Sequence, residues 1–160
     1  MDWMILPYRR YFEFSGRSRR KEYWWFALFT TVVLTCLMIS VVAAVFSTVN
    51  AVTANPDTLL RAFGPGLWTV VGVIGLFILV SIIPGIAVQV RRLHDLGASG
   101  WWYLAFIVGG GILSEVPNIG ESLNSLASLG WIVWMFFPGT KGPNKYGDDP
   151  KDPFNADIFA

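Results

Sequence analysis

Polar and apolar positions along this chain separate into long blocks instead of alternating with a helical or strand period. No Asp, Glu, Lys or Arg occurs from Tyr23 to Pro56, from Ala62 to Val90, from Leu96 to Ser114, or from Ser122 to Thr140. A helix crossing the hydrocarbon core of a bilayer needs about 20 apolar residues, and the first two blocks exceed that. A soluble core helix would keep a polar face, and neither Trp24–Val45 nor Leu67–Val90 has one. The pattern predicts an all-α, polytopic membrane helical bundle, a single membrane domain over 1–160 with four transmembrane helices at 23–46, 66–90, 100–114 and 123–137. The last two are short. At ~1.5 Å per residue, Trp101–Leu113 reaches only about 20 Å, and it contains three successive glycines at 109–111. Two short or tilted crossings are the expectation, with a re-entrant hairpin as the alternative.

The polar blocks predict how these helices end. In segment 1–22, Met4, Tyr8, Tyr11 and Phe12 recur at helical spacing opposite Arg9, Arg10 and Glu13. That pattern predicts an interfacial amphipathic helix, with Pro7 in its first turn. Tyr23, Trp24 and Trp25, and later Trp101, Trp102 and Tyr103, fit the aromatic belt of a membrane interface. The stretch "RRLHDLGASG" at 91–100 reads as a tight turn between two helices. Arg91 and Arg92 would carry their charges to the interface, and Arg91 and Asp95 are spaced to pair at i,i+4. Gly97 suits a helix C-cap and Ser99 an N-cap. Inside the apolar blocks, Ser81-x-x-x-Gly85 and Ser40-x-x-x-Ala44 are small pairs that favour helix packing. Pro84 would kink its helix or free a carbonyl.

Composition agrees with the pattern. Only 14% of the 160 residues are charged and 54% are hydrophobic, against about 25% charged in soluble proteins. The distribution of charge adds an orientation. Of twelve Lys and Arg, only Arg61 falls outside the N-terminal segment, the 91–100 turn and the tail at 138–160. By the positive-inside rule both termini are cytoplasmic. No cleaved signal peptide is expected, because the first apolar block is longer than an h-region of about 7–15 residues. Cys36, the single cysteine, has no intrachain disulfide partner and reads as a packing residue. No ionisable residue falls near a predicted midplane, which counts against a pump.

The candidate chemistry therefore sits on one face. Segment 1–22 carries net +3, the turn +1 and the tail −1. An acidic tail would lie across a basic surface, with Asp148 or Asp149 near Arg17, Arg20, Arg91 or Arg92; the alternative is a solvated tail. Arg17, Arg91 and Arg92 could converge on one phosphate or carboxylate, since guanidinium groups bind such groups in bidentate fashion. A single His94 beside Asp95 falls short of the three or four ligands a transition metal needs, and the tail lacks a calcium-loop pattern. No metal, no cofactor and no catalytic residue is expected, and nucleic acid is not an expected partner.

Three blocks, "FSGRSRRKEYWWF", "RRLHDLGASGWW" and "GTKGPNKYGDDP", resemble in order and spacing the signature blocks of the bacterial inner-membrane family catalogued as domain of unknown function 805, the YhaH-like proteins. The resemblance spans about Arg10 to Pro150. It falls on Gly16, Arg17, Arg20, Glu22, Tyr23 and Trp24, then on Arg91 to Asp95 with Trp101 and Trp102. In the tail it falls on Gly142, Asn144, Tyr146, Gly147, Asp149 and Pro150. It implies four membrane helices, cytoplasmic termini, a bacterial inner (plasma) membrane location and no established activity. The connection between the last two helices looks longer and more polar than the family pattern. The resemblance also implies that all three blocks form one site or one scaffold. The candidate set for binding an anionic group or lipid is Arg17, Arg20, Arg91, Arg92, His94, Asp95, Asn144, Tyr146 and Asp149. The expected function is a structural or interaction protein contacting anionic lipids, a membrane-protein partner or further copies of itself. A small oligomeric transporter or channel subunit is the alternative. A membrane enzyme using His94 and Asp95 is a more distant one.

Overall fold

The structure, a computed structural model, describes residues 2–55 and 65–151. Asp57 and Arg61, and Asp152 and Asp157 of the tail, lie outside the described residues. Among the described residues the chain is all-helical, with one isolated bridge between Asn144 and Gly147. A 3-10 turn at Asp2–Met4 precedes α1 (Leu6–Arg9), α2 (Arg20–Ala54), α3 (Pro65–Asp95), α4 (Trp101–Ser114) and α5 (Gly120–Phe136).

The N-terminal segment departs from the expected amphipathic helix. Pro7 sits in the first turn of α1, where its missing N–H costs nothing, but it cannot carry a helix through from Asp2. One 3-10 turn and one α-turn result. The first long helix is longer than expected, 35 residues or about 52 Å at ~1.5 Å per residue. It has no Gly or Pro to interrupt it and stops before Asn55-Pro56, where proline disfavours helix in the residue ahead of it. Its hydroxyls bond back onto the helix: Ser40 Oγ donates to the Leu37 carbonyl at 2.6 Å and Ser47 Oγ to Ala44 at 2.8 Å.

Helix α3 also outruns its expected end. Arg91 to Asp95 belong to its last turn and a half, so the predicted turn shrinks to Leu96–Gly100. Gly97 performs the predicted capping. At φ +78°, a conformation cheap only for glycine, it lets its N–H reach the His94 carbonyl at 3.0 Å and the Ala98 N–H reach Leu93 at 2.9 Å. This pair of bonds is a Schellman cap. The N-cap of α4 is Gly100, with the Ser99 hydroxyl accepting from the Trp101 N–H at 3.4 Å. Helix α3 runs through Pro84.

The chain forms two compact units. One comprises Ala27–Ile83; within it α2 and α3 run as apolar helices whose large side chains, such as Ile39, Phe46 and Leu79, are exposed. α2 and α3 are each long and apolar enough to cross a membrane. The other unit comprises Met1–Phe26 and Pro84–Ala160. There α4 and α5 are joined by aromatic contacts, Phe106 stacking on Trp131 at 4.3 Å and Trp102 edge-on to Trp134 at 6.3 Å. α4 is about 21 Å long and α5 about 26 Å at ~1.5 Å per residue.

Candidate functional site

The second unit has an ionic core. Its buried residues include Arg17, Ser18, Glu22, Gln89, Arg91, Arg92 and Asp95, beside Phe26, Ala87, Val88, Leu93 and Met135. Charges are buried at this density only when each finds a partner. The partners come from all three polar blocks.

Asp95 is the hub. Arg17 Nε donates to its Oδ1 at 3.1 Å, with Nη2 at 3.0 Å, and Arg92 Nη1 pairs with its Oδ2. The predicted Arg91–Asp95 pair is not the one formed. Although four-apart residues share a helix face, Arg91 turns toward the first block, where its Nη2 donates to Glu22 Oε1 at 2.8 Å and its Nη1 to the Glu13 carbonyl. Three arginines thus meet two carboxylates inside the protein. The place between Arg17 and Arg92 where an external phosphate or carboxylate would sit is held by the chain's own Asp95.

Backbone carbonyls complete the arginine forks. Arg92 Nη2 donates to the Met135 carbonyl at 3.2 Å and to that of Phe137, and Arg20 Nη1 to Phe136 at 3.2 Å. These are the last carbonyls of α5, which have no partner within their own helix, and cations there also oppose the helix dipole. The arginines of the first two blocks therefore cap the final helix.

The tail is tied down by its backbone more than by its acids. Arg17 donates to the Gly142 carbonyl at 2.6 Å and to that of Thr140. The Thr140 N–H donates to the Asp95 carbonyl at 2.9 Å, and Asn144 Nδ2 donates to the His94 carbonyl at 3.0 Å. Tyr146 stacks on His94 with ring centres 3.9 Å apart. Gly139 passes so close to Asp95 that a Cβ there would overlap the carboxylate. Asp149 forms no ion pair with the arginines; it accepts from the Gly142 N–H at 3.0 Å and the Lys151 N–H at 2.9 Å. The Lys151 bond is the main reason its carboxyl is held below the ordinary aspartate range. Partial burial opposes the shift, while the Gly142 bond and the charges of Arg17 and Lys151 reinforce it.

His94 and Asp95 are adjacent but separately engaged. Asp95 faces two guanidinium groups, whereas His94 Nδ1 meets the Gly16 carbonyl at 3.1 Å. All nine candidate residues fall within this one unit. Sequence reasoning omitted Glu22 and Gly139. Glu22 stands in the first family block, a visible signal; Gly139 has no local signal, since its role depends on Asp95.

A helical membrane protein with its polar end closed by its own ion pairs is the class these features define. The chain belongs to the family described as Protein of unknown function (DUF805), whose sequence profile matches residues 11–148. It is 34% identical to inner membrane protein YhaH of Escherichia coli K12, over 94% of this chain and 98% of the relative. It is 31% identical to inner membrane protein YhaI of the same organism, over 94% and 97%. It is 28% identical to uncharacterized protein YiiR of that organism, over 88% of each chain. No solved structure matches.

Proposed function

We propose that this protein is a scaffold of the bacterial inner membrane, with four membrane helices, both termini cytoplasmic, and a charge-locked cytoplasmic platform that docks a membrane-protein partner. The observation that carries this reading is the internal pairing of Arg17, Arg91 and Arg92 with Asp95 and Glu22. Those charges serve cohesion. Contact with a partner or an anionic leaflet then falls to the exposed cations around them: Arg9, Arg20, Lys21, Lys141, Lys145 and Lys151. Each such cation near an anionic surface contributes about 1 kcal/mol.

The test has two parts. In a Cys36→Ser background, single cysteines at Lys21 and Lys145 should be shielded from an impermeant thiol reagent in intact cells, and one at Glu115 should react. Photo-crosslinkers at Lys21 and Lys141 should then give discrete protein adducts. The transporter alternative draws on Pro84, whose missing N–H leaves the Val80 carbonyl without its helical donor. Solute flux through proteoliposomes of the pure protein, with no adducts in cells, would replace the scaffold reading with that one.

A further inference from the structure

Beside the ionic core lies an open recess of about 440 Å³, within the ~300–1,000 Å³ of small-molecule sites. The end of α3, the start of α4 and the N-terminal segment form it, through Ile86, Val90, His94, Trp101, Ile107 and Phe14 among others. By position in the helices its lining is graded: His94 and Ser99 stand at the turn between α3 and α4, and Ile86 and Ile107, also in the lining, stand about two turns away from it. Each apolar residue is eight positions from its polar counterpart, about 12 Å along a helix at ~1.5 Å per residue. Both helices grade in the same direction, as a site for an amphiphile requires.

The polar end specifies a head. The Gly16 carbonyl can only accept, so the 3.1 Å contact requires the proton of His94 on Nδ1. Neutral His94 then presents Nε2 as an acceptor, suited to a ligand that donates a hydrogen bond. A cation stands outside the recess, beyond its polar end: Tyr146 stacks on His94, and Lys145 Nζ is 4.9 Å from the Tyr146 ring centre. A head matching both carries a hydroxyl and a phosphate. An ethanolamine head supplies the donor as a cation, repelled by Lys145, and a choline head has no donor. At about 440 Å³, near the lower end of the range for small-molecule sites, the recess has room for one acyl chain.

We propose that the recess seats one acyl chain of an anionic glycerophospholipid with free head hydroxyls, the phosphatidylglycerol class, its head at His94 and Lys145 and its chain running toward Ile86 and Ile107. The site rests on the reading of this unit as membrane-embedded. It does not depend on which side of the membrane the polar end faces.

The test is native mass spectrometry of protein released from symmetric nanodiscs holding equal phosphatidylglycerol, phosphatidylethanolamine and phosphatidylcholine. Wild type should retain one phosphatidylglycerol, favoured by about fivefold, as expected from a single cation contact. Lys145→Ala, at an exposed position, should bring phosphatidylethanolamine close to parity with phosphatidylglycerol, with phosphatidylcholine still behind because its head has no donor for His94. Ile107→Trp, which fills the recess from an exposed site, should cut retention about tenfold while the melting temperature stays near wild type. Equal retention of all three heads by wild type, or undiminished retention by a folded Ile107→Trp, would overturn the site. Because the nanodiscs are symmetric, the result stands whether or not the thiol labelling supports cytoplasmic termini.

Discussion

Arg17 and Asp95 are 78 residues apart in sequence, yet their charged atoms meet at 3.0 Å with both side chains almost wholly buried. Through this contact the N-terminal segment, the end of α3 and the tail become one body, because Arg17 also holds the Thr140 and Gly142 carbonyls. Breaking a buried pair by removing one partner costs about 3–5 kcal/mol. Arg17→Ala should therefore lower the melting temperature in detergent by many degrees and make the chain cleavable near Thr140. Arg17→Lys should rescue little of this, since one ammonium cannot reproduce a fork serving three acceptors. A lysine variant as stable as wild type would show that the fork geometry is unimportant.

The Arg91–Glu22 pair invites a double-mutant cycle. Both side chains are fully buried, so Glu22→Leu leaves a guanidinium without its counter-charge and Arg91→Met leaves a carboxylate without one. Each single variant should be destabilised by about 3 kcal/mol or more, and the double variant by less than the sum, because an apolar pair of similar volume removes the desolvation cost. Denaturant titration of the four proteins measures the coupling. Additive effects would contradict a direct pair.

Two tail glycines should fail for different reasons. At Gly139 an added Cβ overlaps the Asp95 carboxylate, so Gly139→Ala should release the tail to limited proteolysis and disturb the Arg17 contact. Gly142 has open space around it but sits at φ +75°. Gly142→Ala should cost only the strain of a left-handed residue, about 1 kcal/mol, with the tail still protected. Equal proteolysis of both variants would argue that the tail is not held at Asp95.

The tail should also loosen in acid. The Asp149 carboxyl is held below its ordinary 3.8. A depressed value in the folded state means stabilisation fully present above the unfolded value and lost as pH falls through the folded one. Tail protection should be flat down to about pH 4 and decline below it. Asp149→Asn should reduce the protection at neutral pH and remove its contribution to the acid-dependent step. The effect should be small, because the carboxyl is largely solvated. Proteolysis across a pH series with an acid-active protease reads it directly.

Much was legible from order along the chain. The charge-free blocks announce α2, α3, α4 and α5 because a helix satisfies its own backbone wherever water is absent, and this needs no knowledge of neighbours. Gly97 announces its cap for the same reason: a left-handed residue after a helix is a local event. Membership of the family was readable in three short blocks whose residues stand in order. The residues that would gather at the polar end were readable too, since the positive-inside rule and the blocks point to the same face. What only the tertiary structure decided is which charge meets which. Spacing offered Arg91 to Asp95, but in three dimensions Asp95 took Arg92 and Arg17, while Arg91 took Glu22. The last carbonyls of α5 took the rest of Arg92's donors. Helix spacing allows both Arg91 and Arg92 to reach Asp95, and buried charges choose among such partners by distance and desolvation across the whole fold. The same reason hides Gly139: its lack of a side chain matters only because a carboxylate 44 positions earlier in the chain lies against it.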